Sequence, residues 1–252
     1  MMGRVDLNAD MGESFGPWKL GNDRALLDIV TSANIACGFH AGDPDVMAET
    51  MRMAVDKNVG IGAHPGFSDL QGFGRRRLAL SAEKLGNMVT YQLGAAQAMA
   101  EAAGGTVRHF KLHGALGNWA SEDANVARAC YQAALKYAPR INIFVLAATE
   151  MEQVVRDLGC EWSVEIFADR AYNDDATLVD RALPGAVIID PKIAAQRVVD
   201  MVQAKALIAQ SGKHIPTRID TVCLHGDGEN AVNIGRAVHS ALTAADVAVR
   251  QV

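Results

Sequence analysis

The chain has 252 residues, half of them hydrophobic and 21% charged, which is typical of a globular protein with a sizeable core. Its net charge of −5 argues against nucleic-acid binding, because the one basic run, Arg75 to Arg77, is too short to form the clustered positive surface that such binding needs. The sequence shows neither a secretory signal pattern nor an apolar run of about 18 residues. We therefore expect a cytoplasmic protein that does not enter a membrane.

Segments typical of strands alternate with segments typical of amphipathic helices along the whole chain. The predicted strands cover residues 4–8, a run that starts at Asn34, and residues 59–63, 107–112, 141–146, 163–168 and 220–224. The predicted helices cover about 23–32, 44–57, 81–103, 122–138, 150–159, 191–210 and 229–245. Residues 64–77 are typical of a lid or binding loop, and residues 171–190 of an excursion that carries a short pair of strands.

Helix starts are marked by capping residues. Asp43 and Asp190 each precede a proline, a pair that satisfies the first N–H groups of a helix. Ser121 is the predicted N-cap of the helix at 122–138, and Thr149 with Glu152 forms a predicted capping box.

Seven strands that alternate with seven helices, without a linker, predict one α/β domain over residues 1–252 with a parallel sheet. We favour a single-domain (β/α) barrel with about seven parallel strands, and a doubly wound open sheet is the alternative. The first strand–helix turn lacks the GxGxxG spacing of a dinucleotide fold, and GxxxxGK[ST] does not occur, so a P-loop does not hold ATP here.

Four histidines follow predicted strands directly: His40 in NIACGFHAGD, His64 in GAHPG, His113 in KLHGALGN and His225 in CLHGDGEN. Because ligands of α/β proteins bind at the carboxyl ends of parallel strands, we expect these side chains to share one site. The candidate catalytic residues are Asp10, His40, His64, His113 and His225. The candidate substrate-binding residues are Asp6, Asn8, Glu13, Asp43, Lys111, Asn118, Asp169, Arg170 and Asp227.

Two chemistries fit these residue types. A divalent metal could activate water, with Asp10, His40 and His64 as ligands, although the sequence contains neither HExxH nor HxH. Alternatively, an Asp or His base could act without a metal, while Lys111, Arg170 and glycine N–H groups stabilise negative charge. The sequence leaves both open, and we favour the chemistry without a metal.

Several segments together resemble one known family. The segments are DLNADMGESFG (6–16), NIACGFHAGD (34–43), GAHPGF (62–67), KLHGALGN (111–118), EIFADRAY (165–172) and LHGD (224–227). They span nearly the whole chain, and their combination resembles the LamB/YcsF family. The sequence departs from the family pattern at Gly117, where tyrosine is usual, and at Leu112, where proline is usual. Trp119 is close enough in sequence to replace the lost tyrosine.

This resemblance implies a barrel related to the glycoside hydrolase and deacetylase barrels. It also implies the role of the A subunit in an ATP-dependent 5-oxoprolinase, with ATP as co-substrate, 5-oxo-L-proline or a similar lactam as substrate, and subunits B and C as partners.

On this view we expect Asp10 or His113 to act as the base, and His40, His64 and His225 to position water and the leaving nitrogen. Lys111 and Arg170 would then bind a carboxylate or phosphate. The rival hypotheses are a metal-dependent amidohydrolase or carbohydrate deacetylase that acts alone, and a non-catalytic partner subunit.

Overall fold

Seven parallel strands close into a barrel, as the sequence predicts. The computed structural model describes residues 3–228 and 230–252. Within these ranges the barrel order is β1, β2, β3, β4, β5, β6, β9, and β9 pairs back onto β1. The barrel strands are β1 (Arg4–Met11), β2 (Ser32–Ala36), β3 (Gly60–His64), β4 (Val107–Phe110), β5 (Asn142–Leu146), β6 (Trp162–Phe167) and β9 (Thr221–Leu224).

Three shorter strands lie outside the barrel. An antiparallel hairpin joins β7 (Ala206–Ile208) and β8 (His214–Pro216). The short β10 (Ala248–Val249) pairs in parallel with the start of β1. Neither the hairpin nor β10 was predicted from the sequence.

Helices follow most of the barrel strands and cover the outside of the barrel. They are α1 (Asp23–Leu26), α2 (Pro44–Asp56), α3 (Ala82–Ala102), α4 (Gly114–Glu122), α5 (Ala124–Tyr137), α6 (Glu150–Leu158), α7 (Pro191–Ala204) and α8 (Ala231–Ala244). The predicted caps of α2 and α7 are confirmed, because Asp43 and Asp190 each accept two N–H groups of the first turn. Among the described residues, no helix combines the length and the apolar character needed to cross a bilayer.

Two predicted helices are too long. The helix at 23–32 is a single turn that ends at Leu26, and the helix at 191–210 ends at Ala204. Lys205 adopts a left-handed conformation (φ 48°) that stops α7, and the chain then enters the hairpin. The predicted start of the last helix, Glu229, lies outside the described residues, and α8 begins at Ala231.

The predicted caps of α5 and α6 are wrong in detail. Ser121 lies inside α4, and Asp123 caps α5 by accepting the N–H of Asn125. Thr149 precedes α6 but donates its hydroxyl to Leu146 O, and Glu152 accepts the N–H of Ala148.

Residues 171–190 also differ from the prediction. The predicted pair of strands is replaced by two isolated bridges, Arg170 with Val187 and Tyr172 with Leu178. This segment is held mainly by single backbone contacts rather than by a ladder of hydrogen bonds.

The interior of the barrel is polar. Along β1, Leu7 belongs to the hydrophobic core, whereas its neighbours Asp6 and Asn8 are fully buried and bonded to polar side chains. Asp6 accepts hydroxyl groups of Thr31 (2.6 Å) and Ser32 (2.7 Å) and also that of Thr221. Burial raises the pKa of Asp6, although these hydroxyls oppose the shift. Such a network stabilises the fold only because its members satisfy one another.

Gly62 in β3 has no room for a side chain. A Cβ atom there would lie 2.0 Å from His109 Nε2. The His109 ring cannot retreat easily, because it stacks on Phe144 with centroids 4.3 Å apart and its Nε2 lies 2.8 Å from Asn34 Oδ1. We therefore expect Gly62→Ala to lower the free energy of unfolding by about 3 kcal/mol, measured by urea denaturation.

Gly94 in α3 provides the matched control. Its Cβ would meet only Tyr137 Oη at 3.9 Å, so Gly94→Ala should raise stability by up to about 1 kcal/mol. Equal unfolding curves for the two variants would show that the packing around Gly62 is not tight.

Candidate active site

A cavity of about 900 Å³ opens at the carboxyl ends of the barrel strands. Among the described residues it is lined by predicted site residues from several strands and loops: Asp10, His64, Lys111, His113, Asn118, Arg170 and His225. The fourth predicted histidine, His40, is buried behind His113, with ring centroids 3.6 Å apart and planes within 7° of parallel. The four histidines therefore gather at one end of the barrel, as expected from their places in the sequence.

Lys111 is the centre of the buried charges. Its Nζ lies 3.0 Å from Asp10 Oδ1, 2.9 Å from Glu165 Oε1 and 2.9 Å from Cys223 Sγ. Burial alone would lower the pKa of Lys111, but Asp10, Cys223 and Glu165 together raise it well above its usual value. The ammonium group is therefore permanently charged and already neutralised by its neighbours.

The two acids beside Lys111 have opposite shifts. Burial favours a raised pKa at Asp10, but Lys111 and His64 hold the pKa of that carboxyl well below its usual range. At Glu165, by contrast, burial dominates over Lys111 and the pKa is raised. The charge that balances Lys111 is thus carried mainly by Asp10.

His64 and His113 point two ring nitrogens at each other. His64 Nδ1 donates to Lys111 O (2.8 Å), and His113 Nε2 donates to Phe73 O (2.8 Å). The remaining nitrogens, His64 Nε2 and His113 Nδ1, lie 3.1 Å apart with the rings at 89°. In the neutral rings both of these nitrogens are acceptors, so two lone pairs face a common point. Burial and the neighbouring His64 lower the pKa of His113 to about 3.

Glu13 closes this group from the loop that follows β1. Its Oε1 lies 3.8 Å from His40 Nε2 and 3.9 Å from His113 Nδ1. Burial, followed by the Asp10 charge, raises the pKa of Glu13 well above its usual value. Burial, together with His113 and His64, lowers the pKa of His40 far below its usual value. This part of the site thus combines an acid and imidazoles that are all held near neutral charge.

His225 is oriented by Asp169 on the opposite side of the cavity. Its Nδ1 lies 2.8 Å from both Asp169 carboxylate oxygens, and its ring stacks on Phe167 with centroids 4.9 Å apart. Burial opposes the charge of Asp169, but His225 outweighs it and the pKa of Asp169 is lowered. The second ring nitrogen, Nε2, is therefore the one available to the cavity.

Residues 171–190 form one wall of the cavity, and arginines lie around its mouth. Arg170 donates to Val179 O (2.6 Å) and Ala186 O (3.3 Å), so its guanidinium holds this wall in place. Arg75 pairs with Asp227, and Arg181 also lines the cavity. The predicted binding loop at 64–77 therefore contributes Arg75 to the mouth.

Two predicted substrate-binding residues do not reach the cavity. Asp6 belongs to the hydroxyl network inside the barrel, and Asp43 caps α2 and accepts the N–H of Gly16. Asn8 lies within the barrel interior, where it contacts Asn34 (2.6 Å) and Thr221 (2.7 Å). These placements correct the expectation that Asp6 and Asp43 contact a ligand in this cavity.

Sequence reasoning missed Glu165 and Asn34. Both are polar residues inside otherwise apolar strands, SVEIFA and NIA, and that isolation is the signal that would have found them. Asn34 Nδ2 donates to Asp10 Oδ1 (2.9 Å), and Glu165 contacts Lys111. Cys223 was predicted to be a small buried strand residue, and its contact with Lys111 adds it to the site.

The sequence matches the LamB/YcsF family over residues 5–252. The chain belongs to the LamB/YcsF family. A relative from Ruegeria pomeroyi, named as the A subunit of 5-oxoprolinase, is 65% identical, and the match covers 98% of each chain. The crystal structure of the lactam utilization protein from Thermus thermophilus is 43% identical, with a TM-score of 0.92 over 98% of this chain and 99% of that chain.

More distant structures are similar in fold alone. The T48 deacetylase is 12% identical to this LamB/YcsF chain, with a TM-score of 0.50 over 98% of this chain and 87% of that chain. The predicted relation to deacetylase barrels is therefore confirmed at the level of the fold.

The two departures from the LamB/YcsF pattern lie next to each other. A Cβ on Gly117 would stand 2.9 Å from Leu112 O, so a larger residue there requires the backbone at 112 to move. Trp119 does not replace the tyrosine as expected. It packs against Phe67, with centroids 6.5 Å apart, and is not among the described residues that line the cavity.

Proposed function

We propose that this chain is the A subunit of an ATP-dependent 5-oxoprolinase, which opens the lactam ring of 5-oxo-L-proline to L-glutamate. The observation that carries the proposal is the 65% identity, over nearly the whole of both chains, with a protein that bears this name. The cavity supports it, because it combines ionised and neutral acids, oriented imidazoles and arginines in the arrangement that hydrolysis of an anionic cyclic amide requires.

The reaction consumes one ATP and two water molecules. The γ-phosphoryl group of ATP is transferred to the lactam oxygen, which releases ADP and makes the ring carbon electrophilic. The first water adds to that carbon, and the C–N bond breaks as the nitrogen takes up a proton, which leaves an acyl phosphate. The second water cleaves the acyl phosphate to L-glutamate and phosphate. Phosphorylation supplies the driving force that an unstrained lactam lacks.

The residues of the cavity divide these tasks. Asp10 binds Lys111 and Asn34 through Oδ1, so Oδ2, which lies 3.5 Å from His64 Nε2, is the oxygen that accepts a proton from water. His225, held by Asp169, donates a proton to the departing nitrogen. Lys111 keeps Asp10 ionised and in place. Arg75 and Arg181 at the mouth attract the substrate carboxylate or the phosphate.

ATP is a co-substrate in this proposal, and subunits B and C complete the enzyme. The absence of GxxxxGK[ST] from the sequence favours a nucleotide site to which the partners contribute.

Co-expression with subunits B and C, followed by an assay of glutamate and ADP release from 5-oxo-L-proline, tests the proposal. We expect both products in equal amounts, and only when all three subunits are present. If the folded three-subunit enzyme releases neither product, the proposal is wrong. Amide or acetyl hydrolysis by the chain alone without ATP would instead identify the rival amidohydrolase.

Arg181→Met tests anion recognition at the mouth. Loss of one charged contact worth about 1.5–3 kcal/mol should raise KM for 5-oxo-L-proline by roughly 10- to 100-fold and change kcat little. Arg140→Met, at an exposed position outside the cavity lining, is the control and should leave KM unchanged. An unchanged KM in Arg181→Met would remove Arg181 from substrate binding.

A further inference from the structure

We propose that Glu13, His64 and His113 form a binding site for a divalent metal ion of the zinc class, with His40 beside its open coordination position. The donor atoms of all four side chains lie within 4.8 Å of one another, and all four side chains are buried. Two imidazoles and one carboxylate are a donor set that Zn²⁺ uses in catalytic sites, where the fourth position holds water.

The hydrogen bonds of the two histidines carry the argument. Imidazoles that bind a metal usually donate their other N–H to a backbone carbonyl or a carboxylate, which fixes the ring and turns its lone pair toward the ion. His64 and His113 do this through Lys111 O and Phe73 O, both at 2.8 Å. Their inward nitrogens are 3.1 Å apart, a separation that two ligands of one ion can have at ordinary Zn–N distances of about 2.0–2.1 Å.

Glu13 supplies the oxygen. Its Oε1 is 3.9 Å from His113 Nδ1, close enough for both atoms to reach a shared ion. The buried carboxyl and the two facing lone pairs are all electron-rich, and grouping them inside a protein is costly unless a cation is shared among them. The site therefore favours a positive occupant.

His40 provides an independent observation. Among the described residues, neither of its ring nitrogens has a hydrogen-bond partner, although the residue is only 1% exposed. Because its ring is nearly parallel to His113 and 3.6 Å away, the in-plane lone pairs of the two rings cannot meet at one ion. His40 Nε2, 3.8 Å from Glu13 Oε1, is instead placed to accept a hydrogen bond from a water molecule on the ion.

The proposed ligands differ from those expected from the sequence. Asp10 is committed to Lys111 and is replaced by Glu13, and His40 is replaced by His113. A bound cation would lower the pKa of its water and polarise an oxygen of the substrate. Its use in the reaction rests on the proposed function, whereas its binding does not.

The experiment measures metal binding by the isolated full-length chain. We expect one Zn²⁺ per chain after purification without chelator, and titration of chelator-treated protein with Zn²⁺ alone should restore that stoichiometry. Co²⁺ in place of Zn²⁺ should give the visible absorption of a low-symmetry site. Glu13→Gln, His64→Asn and His113→Asn should each weaken Zn²⁺ binding by at least roughly 100-fold.

Two controls keep the result interpretable. His225→Asn, at the same end of the barrel but outside the cluster, should retain the metal. The double variant His214→Ala/His239→Ala, which removes two histidines far along the chain from the cluster, should also retain it. Circular dichroism of each variant without metal shows whether it has folded, and the two conservative histidine-to-asparagine changes provide more than one chance of a folded test protein.

Three outcomes would overturn the proposal. One is a wild-type chain that binds no stoichiometric Zn²⁺, which would indicate a proton shared between His64 and His113 instead. Another is binding that survives all three ligand changes. The third is binding that is lost in His214→Ala/His239→Ala, which would show an adventitious ion only. None of these outcomes depends on 5-oxoprolinase activity, so failure of this proposal and failure of the proposed function are distinguishable.

Discussion

Lys111→Met should lower the free energy of unfolding by about 3–5 kcal/mol near neutral pH, because it leaves two buried acids without their counter-charge. The same change should reduce ATP-dependent glutamate formation by at least roughly a thousandfold, since Asp10 then loses the group that keeps it ionised and oriented. Urea denaturation and assay of the three-subunit enzyme measure the two effects. Lys57→Met is the control, because Lys57 pairs with Asp28 on the surface and should contribute less than about 1 kcal/mol.

The stability loss in Lys111→Met should depend on pH. Without the lysine, the pKa values of Asp10 and Glu165 in the folded state rise above their unfolded values, since burial is then unopposed. Groups with raised pKa values destabilise the fold at high pH and cease to do so below their unfolded pKa. The difference from wild type should therefore shrink between about pH 8 and about pH 4. A difference that is constant with pH would show that packing, rather than charge, causes the loss.

Asp10→Asn should reduce kcat by roughly a thousandfold or more in the assembled enzyme, because the amide cannot accept a proton from water. The matched control is Asp6→Asn, four residues earlier on the same strand and equally enclosed in the barrel. Asp6 contacts Thr31, Ser32 and Thr221 rather than the cavity, so its replacement should cost about 1–3 kcal/mol of stability and leave kcat nearly unchanged.

The comparison of these two aspartates is decisive for the site. Similar losses of kcat in Asp6→Asn and Asp10→Asn would mean that the whole interior network, and not the cavity, controls activity. Retention of more than roughly a tenth of kcat in Asp10→Asn would remove it as the base.

The barrel and the meeting of its histidines could be predicted from the sequence, because short apolar runs that end in His and Gly mark the carboxyl ends of parallel strands. Local signals did not predict α4. Its segment, GALGNWASE, contains two glycines, and the helix forms where Ala115 N–H donates to Gly74 O and His113 is held by Phe73. Tertiary contacts of this kind are not visible in periodicity.

The partners of each charge also could not be predicted from the sequence. The chain places Asp10 and Glu165 in strands β1 and β6, and only closure of the barrel brings both to Lys111. Glu13 and Asp43 looked equivalent as acids near glycines, yet the first is enclosed with the histidines and the second caps a helix. Side-chain direction at the end of a strand decides such cases, and one residue of register changes it.

The polar barrel interior has a consequence for how the chain finds its native alignment. Hydrophobic collapse is driven by residues such as Leu7, Ala9 and Met11, which would tolerate sliding of one strand past another. A slip by one residue, however, would turn Asp6 and Asn8 toward the helices and separate them from Thr221. The interior hydrogen bonds thus act as a key that only one alignment fits, and a barrel with an oily interior on this scaffold would stay compact while losing its unique strand registration.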